Sequence, residues 1–372
     1  MASIAAKAPV GAGSSDAGRF LVLDGMRGVA AFAVILDHVS SVTLRAWFPG
    51  RYLAVDFFFV LSGFVLAHAY GQKLGQGTLS PLGFMRIRLI RLYPFYLLGL
   101  ALGLLFPAMA LVRGWSDIPW SEVATVAVFG VLFLPAPAFS WTGGHLFPFN
   151  GPAWSLFFEL IANFIYGFIA RYLTWLVLGI GLAVMAALIA LAVVRHEDGP
   201  GWHWSNFGYG LCRVVYCFFA GVVIYRLREV VRLWAMPAWA AVFALLAIFA
   251  VPASDELRPA FDAFAAIVLM PLLVAFVAGS TVGGRAARLC SFLGMLSYGV
   301  YALHVPIMTL LNYALQVVDV SLPYGFMDVV LVAGLTTIVV AVATQYYDTP
   351  FRRLLSGKAK RAPKPVASGE AR

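Results

Sequence analysis

Two ionisable residues stand eleven positions apart inside the apolar stretch LVLDGMRGVAAFAVILDHVSS, which covers residues 21–41: Arg27 and His38. In a helix, eleven residues make about three turns and about 16 Å, so both side chains lie on one face. A charge near the bilayer centre costs about 2.5–3.5 kcal/mol on insertion scales, so we expect this face to line a cavity within the protein. Guanidinium groups bind phosphate, and imidazole transfers protons near neutral pH. The stretch therefore predicts a path through the bilayer with a phosphate site at one end and a proton acceptor at the other.

Two carboxylates occur in other apolar runs, and both are predicted to lie at the depth of His38. Asp56 precedes three phenylalanines in VDFFFV, and Glu159 follows two in WSLFFEL. Asp56, flanked by phenylalanines, needs a partner, and either His38 or an outer arginine is expected to supply it. We expect Asp56 or Glu159 to orient the imidazole of His38 for catalysis as a general base, or as a transient acyl carrier. A buried polar network that only fixes the helix register is the alternative. Asp37 either forms a local hydrogen bond or tunes His38.

Further basic residues follow the second apolar run, in RIRLIRLYP. The spacing of Arg88 and Arg91 suits phosphate, and with Arg27 they predict a site for a phosphorylated cofactor that enters from the cytoplasm. A basic cytoplasmic loop has the same composition, so that interpretation stays open. No metal is expected, because the histidines and cysteines lack metal-ligand spacing. The pair of Ser62 and Gly63 in mid-span predicts close packing of helices.

The composition indicates an all-α, polytopic transmembrane helical bundle. Of 372 residues, 62% are hydrophobic and 12% are charged, and the mean hydropathy is +0.88. Lys and Arg concentrate in alternate loops, which predicts about ten spans with both termini cytoplasmic, and a short apolar segment at 123–139 that folds back on the protein. The net charge of +9 follows from these loops, so nucleic-acid binding is not expected. The predicted spans are 20–43, 53–70, 94–112, 153–170, 172–194, 209–226, 235–252, 261–279, 292–315 and 325–346.

Three segments divide the chain. Residues 1–18 are predicted to be a flexible leader, residues 19–355 the transmembrane domain, and residues 356–372 a basic, disordered tail near anionic lipid. The first span is expected to act as an uncleaved signal anchor in the cell inner (plasma) membrane.

Six short stretches, in order, resemble the acyltransferase 3 family of integral membrane acyltransferases. The resemblance covers about residues 20–356 and places Arg27 and His38 in the family's signature of Arg, ten residues and His. Asp348 stands where the family usually has Glu, and Asp37 where an aromatic residue is common. The stretches are LDGMRGVAAFAVILDHV, VDFFFVLSGFVL, RLIRLYPFYLL, PAWSLFFEL, LSYGVYALHVPI and YYDTPFRRLL.

The resemblance implies transfer of an acyl group, usually acetyl, from cytoplasmic acetyl-CoA to a hydroxyl of a sugar beyond or at the outer face of the membrane, as in O-acetylation during polysaccharide biosynthesis. In this interpretation Arg27, Arg88 and Arg91 bind the CoA, and His38, Glu159 and Asp56 are catalytic. Candidate residues for the carbohydrate or lipid-linked sugar acceptor come from the fourth and fifth stretches: Trp154, Ser155, Tyr301 and His304. His304 is equally interpretable as a hydrogen-bonded structural histidine.

Two other classes of protein compete with this interpretation. A proton-coupled secondary transporter of a small molecule or glycan precursor also carries intramembrane Arg, His and Glu, but no inverted repeat is visible in the sequence. A lipid-binding structural protein leaves both the arginine cluster and the carboxylates without a role.

Overall fold

The fold is helical throughout the part of the chain that the structure, a computed structural model, describes. That part consists of residues 20–39, 42–196, 199, 201–230, 235–319 and 326–357. The predicted leader and all but the first two residues of the predicted tail lie outside it. The helices are α1 (Leu21–His38), α2 (Val42–Trp47), α3 (Ala54–Gly75), α4 (Pro81–Val112), α5 (Trp120–Val131), α6 (Ala153–Ile169), α7 (Trp175–Val194), α8 (Phe207–Val230), α9 (Ala238–Ala250), α10 (Arg258–Phe264), α11 (Met270–Val277), α12 (Gly284–Val317), α13 (Phe326–Ala343) and α14 (Thr349–Leu355).

Among the described residues, eight helical segments are long and apolar enough to cross a membrane. The all-α polytopic class is therefore confirmed. Helix α1 is not among them because it carries three charged residues, Asp24, Arg27 and Asp37. Helix α9 is not among them because it has only 13 residues. The count of ten spans and the side on which the termini lie stay predictions. The eight segments are Arg51–Gly75, Pro81–Val112, Ala153–Tyr172, Trp175–Val194, Trp204–Arg228, Arg258–Val277, Gly284–Val317 and Phe326–Leu355.

The apolar segment predicted at 123–139 to fold back on the protein forms α5 and an irregular stretch after it. Helix α5 has 12 residues, or about 18 Å, which is shorter than the hydrocarbon core. Its end packs on α4, where Tyr96 donates a hydrogen bond to the Gly130 carbonyl at 2.6 Å and Tyr93 to the Val131 carbonyl at 2.7 Å. These bonds hold the end of the segment against α4, and its folding back without crossing the membrane stays a prediction.

Small residues bring two pairs of helices into close contact. Helix α1 packs along α12, and α3 packs along α8. A side chain at Gly28 would place its Cβ 2.4 Å from the Cβ of Leu293, and one at Gly63 would lie 1.8 Å from the carbonyl oxygen of Phe218. Both glycines are therefore required for the approach of their helices, as was predicted for Gly63.

A proline in α12 leaves one backbone carbonyl of that helix without its usual hydrogen-bond donor. Pro306 has no N–H, so the carbonyl of Ala302 loses its partner within the helix. The side chain of Asn150 donates a hydrogen bond to that carbonyl at 3.1 Å and thereby ties the loop before α6 to α12. Helices α1, α3, α4, α6 and α12 all contribute to the polar interior of the bundle.

Candidate active site

One cavity in the bundle is lined by the three arginines that the sequence predicted for phosphate binding. It has a volume of about 460 Å³, and we call it the arginine cavity. Arg27 comes from α1, and Arg88 and Arg91 come from α4. The other charged or polar residues that line it are Asp24, Ser62, Tyr70, Glu159, Ser297, Tyr298 and Tyr301.

Two of the three arginines form ion pairs. Arg88 lies 2.8 Å from Glu159, which also accepts a hydrogen bond from Ser62 at 2.6 Å, and Arg27 lies 2.9 Å from Asp24. Arg91 is exposed and makes no hydrogen bond or ion pair with any residue in the described ranges. The cavity therefore keeps one uncompensated positive charge, and Arg91 carries it.

Arg27 is also anchored to α12. Its Nε donates to the Ser297 hydroxyl at 2.9 Å, and its Nη2 donates to the Gly294 carbonyl at 2.8 Å. With Asp24, these contacts hold the guanidinium in one orientation at the cavity wall. Its placement in a cavity rather than against lipid is what its position in α1 predicted.

A second, smaller cavity contains His38. It has a volume of about 260 Å³, and we call it the histidine cavity. Most of its wall is apolar or aromatic. The lining includes Val34, Asp37, His38, Tyr52, Asp56, Phe59, His145, Phe147, Pro152, Trp154, Trp202, Arg213 and Tyr301. The sequence predicted one path through the protein with Arg27 and His38 at its ends, but the structure divides their surroundings into two cavities.

The partner of His38 is a second histidine. Nε2 of His304 lies 3.2 Å from Nδ1 of His38, and His304 is fully buried. The predicted contact of a carboxylate with His38 is wrong for the described residues, because Glu159 lies in the arginine cavity and Asp56 pairs elsewhere. Glu159 lines the arginine cavity and His38 lines the histidine cavity. The ion pair with Arg88 neutralises the Glu159 carboxylate, which is largely shielded from solvent.

Asp56 forms a bidentate ion pair with Arg213 of α8. Nε of Arg213 donates to Oδ1 at 2.7 Å, and Nη2 donates to Oδ2 at 2.5 Å. Asp56 is 1% exposed and Arg213 is 8% exposed, so each charge requires the other. The pair adds no net charge to the histidine cavity, whose wall it forms in part.

Tyr301 is the one residue that lines both cavities in the described part of the chain. Its hydroxyl lies 2.5 Å from Oγ of Ser155, and Ser155 donates to the Pro152 carbonyl at 2.9 Å. The Tyr301 ring meets Phe58 edge to face, with 5.5 Å between their centres. Ser155, predicted to bind the acceptor, thus holds the wall between the cavities, whereas Trp154 lines the histidine cavity directly.

Two loops meet beside the histidine cavity. His145 and His203 form a short antiparallel bridge with their rings 4.1 Å apart, and Leu146 donates a backbone hydrogen bond to Trp202 at 2.8 Å. Partial burial, and then the neighbouring His203, lower the pKa of His145 below its ordinary value. The contact is therefore strongest when His145 is neutral.

The two aspartates without an assigned role both form ion pairs. Asp37 lies 2.8 Å from Arg51, and its backbone carbonyl accepts from Arg45 at 2.9 Å, so it acts locally at the end of α1. Asp348 lies in a π-helical turn before α14, 2.8 Å from Arg352. The shorter carboxylate thus still reaches a cation.

Two polar residues that bond to predicted site residues in these cavities, Arg213 and Ser297, were not themselves predicted as site residues. Arg213 was not named as a site residue, although an outer arginine was one of the two partners expected for Asp56. Its position inside an apolar helix is itself a signal that a buried carboxylate is near. Ser297 gave no signal, because a serine in an apolar helix usually packs against a neighbouring helix.

Comparison with known proteins supports the resemblance seen in the sequence. Residues 20–346 match the acyltransferase domain called Acyl_transf_3. The chain belongs to the acyltransferase 3 family. It is therefore a multi-pass membrane acyltransferase.

Two curated proteins are similar to this family member. Protein 2 in the picA locus of Rhizobium radiobacter is 43% identical over 190 residues, which cover 48% of this chain and 96% of that protein. BcsY of Komagataeibacter xylinus, a candidate membrane-bound transacylase, is 27% identical over 348 residues, which cover 87% of this chain and 82% of BcsY. No solved structure matches the chain significantly.

Proposed function

We propose that this acyltransferase moves an acetyl group from acetyl-CoA in the arginine cavity to a hydroxyl of a sugar, free or lipid-linked, in the histidine cavity. The observation that carries the proposal is that Tyr301 lines both the arginine cavity and the histidine cavity and so separates them. Donor and acceptor then approach from opposite sides and meet beside that residue. With the predicted orientation, the donor comes from the cytoplasm and the protein acts in the cell inner membrane.

The reaction assigned to His38 is general-base catalysis. Its imidazole accepts the proton of the acceptor hydroxyl while the hydroxyl oxygen bonds to the thioester carbonyl carbon. The bond between that carbon and sulfur then breaks, and the thiolate takes the proton from the imidazolium to give free CoA and the O-acetyl product. Direct acylation of the imidazole is the second route for the same residue.

The arginine cavity suits a phosphorylated donor. Arg91 carries a charge that no described residue neutralises, and Nε of Arg88 is buried without a hydrogen-bond partner in the described structure. A phosphate group supplies acceptors for both, and charge-assisted bonds of this type are among the stronger ones. Arg27, already held by Asp24 and Ser297, contributes less to donor affinity in this proposal than Arg91 does.

The histidine cavity suits a single sugar unit. Its volume of about 260 Å³ is at the small end of ligand sites, and its aromatic residues offer flat faces for stacking on a sugar ring. Trp154 and Trp202 are the largest of these. We assign the choice of acceptor to this wall and to the loop that contains His145.

The test supplies radiolabelled acetyl-CoA to inverted membrane vesicles that contain the full chain. Label is expected to enter a glycan or glycolipid fraction, and His38→Gln is expected to abolish incorporation by removing the base. His196→Asn is the matched control, because His196 lies in a loop outside both cavities and its left-handed backbone, with φ of 56°, suits asparagine.

Two results would contradict the proposal. Full incorporation by His38→Gln at equal membrane expression removes His38 from the reaction. Uptake of a labelled solute without any labelled product favours the transporter instead. Mass spectrometry of surface polysaccharide from cells with and without the gene then identifies the acceptor.

A further inference from the structure

The two histidines in the bundle are linked so that each nitrogen has a defined role. Nδ1 of His304 lies 2.9 Å from the Tyr301 carbonyl and 3.1 Å from the Val300 carbonyl. Carbonyl oxygens only accept hydrogen bonds, so this nitrogen must carry the proton. In neutral His304 the remaining nitrogen, Nε2, is then an acceptor with its lone pair directed at His38.

The same reasoning continues to His38. Its Nδ1 lies 3.2 Å from Nε2 of His304 and 3.1 Å from the Val34 carbonyl, and both of these are acceptors. Nδ1 of His38 must therefore be the protonated nitrogen. Its Nε2 is left with the free lone pair, and it makes no hydrogen bond to any described residue, while His38 lines the histidine cavity.

We infer that His304 is a positioning residue that holds His38 in the tautomer whose Nε2 reacts with the acceptor hydroxyl or the acyl group. This inference rests on the proposed function of His38. It assigns to a buried neutral histidine the role that a carboxylate has in a Ser-His-Asp triad, which is to select the tautomer and orient the ring.

In the proposed reaction no proton passes through His304, so His304 is not a proton relay. When Nε2 of His38 takes the hydroxyl proton, His38 becomes an imidazolium. Its Nδ1 keeps its own proton and still donates a hydrogen bond to Nε2 of His304. Nδ1 of His304 likewise keeps its proton and donates to the backbone carbonyls, so His304 changes neither charge nor tautomer. The proton on His38 Nε2 then leaves to the thiolate, and the pair returns to its starting state.

The first test compares two substitutions of His304. His304→Leu removes the acceptor and is expected to lower kcat about 10²-fold with little change in the KM for acetyl-CoA. His304→Gln can place an amide oxygen near Nδ1 of His38 and is expected to recover most of that loss. A purely structural role predicts instead that kcat falls in both variants only in proportion to the folded fraction, measured by size-exclusion chromatography.

The second test fixes the tautomer chemically. Replacing His38 by Nδ1-methylhistidine leaves Nε2 as the only nitrogen with a lone pair. In the His304→Ala background, which also gives the methyl group room, this replacement is expected to raise kcat about tenfold or more over His304→Ala with an ordinary His38. The magnitude corresponds to part of the usual contribution of a general base.

The outcomes separate the two proposals. If His38→Gln is inactive but folded His304→Leu keeps the kcat of the wild type, or methylation gives no rescue, the positioning role fails and the acyltransfer proposal stands. If His38→Gln keeps full activity, the proposed function fails first. Rescue by methylation together with a kcat loss in His304→Leu supports both.

Discussion

The two cavities differ in the net charge of the side chains that line them. The arginine cavity contains three guanidinium groups and two carboxylates and keeps a positive charge on Arg91. The histidine cavity is lined by two carboxylates, Asp56 and Asp37, and each is paired with an arginine, Arg213 or Arg51. The other titratable groups named in its wall include the imidazoles of His38 and His145. The difference teaches that charged side chains inside one bundle can leave a cation without an ion-pair partner in the described part of one cavity and neutralise one another in the next.

The partners of each charge explain that difference. Asp56 and Arg213 are both buried and neutralise one another through two hydrogen bonds, so a ligand that displaced either group would leave a buried charge unpaired. Arg91 is exposed to the cavity and unpaired among the described residues, so it can bind an anion without losing an internal contact. Four sets of variants test the two cavities, and the first set has the largest expected effect.

Arg213→Met should destabilise the protein by about 3–5 kcal/mol, because it leaves the Asp56 carboxylate buried without a partner. The double variant Asp56→Leu with Arg213→Met should recover most of that loss, since it removes both charges. The midpoint temperature of unfolding in detergent, followed by size-exclusion chromatography, measures the effect. A single variant as stable as the wild type would show that the pair contributes nothing to the fold.

Arg91→Ala should raise the KM for acetyl-CoA about 10–100-fold, the usual range for a hydrogen bond to a charged group, and leave stability unchanged. Arg88→Ala should instead reduce the yield of folded protein, because the largely shielded Glu159 carboxylate then lacks its cation. Arg91→Lys keeps the charge and is the matched control. If Arg91→Ala impairs folding and leaves the KM for acetyl-CoA unchanged, Arg91 supports the fold and does not bind the donor.

Tyr301→Ala should open the shared wall and raise the kcat/KM for butyryl-CoA relative to acetyl-CoA about tenfold, since one or two methylene groups in a pocket change specificity by that order. Tyr301→Phe keeps the ring in the wall and loses only the hydrogen bonds of the hydroxyl, to Ser155 and to the Pro152 carbonyl, so its preference for acetyl-CoA should persist. Competition between the two donors measures the ratio. An unchanged ratio in Tyr301→Ala would place the limit on acyl length elsewhere.

The smallest effect is expected at the loops beside the histidine cavity. The pKa of His145 is lowered where it contacts His203, so protons bind more readily when the loops separate. The contact should be complete above about pH 6.5 and weaken as the pH falls below that value. Hydrogen exchange at residues 201–206 should accelerate about two- to fivefold at pH 5.5 relative to pH 7.5, after correction for intrinsic rates. His145→Gln should lose most of this dependence, and an equal dependence in that variant would refute the assignment.

Patterns along the chain predicted the class of fold and the cations of the site, because both follow from local composition. A helical bundle was predictable from apolar runs of about 20 residues, and Arg27, Arg88 and Arg91 do line one cavity. The partners of the carboxylates were only partly predictable. An outer arginine was one of two partners expected for Asp56, whereas the ion pair of Glu159 with Arg88 was not predicted, because residue spacing within one segment does not show which cation of another helix packs beside it.

The sequence by itself determined that the chain crosses a membrane, that α1 carries a cation and an imidazole on a face turned away from lipid, and that the chain resembles an acyltransferase. Hydrophobicity and helical periodicity are local properties, so one segment is enough to show them. Only the tertiary structure decided that His38 meets His304, that Asp56 meets Arg213, and that Tyr301 divides the interior. Those pairings depend on how distant helices rotate and slide against each other, and the close contacts at Gly28 and Gly63 set that arrangement.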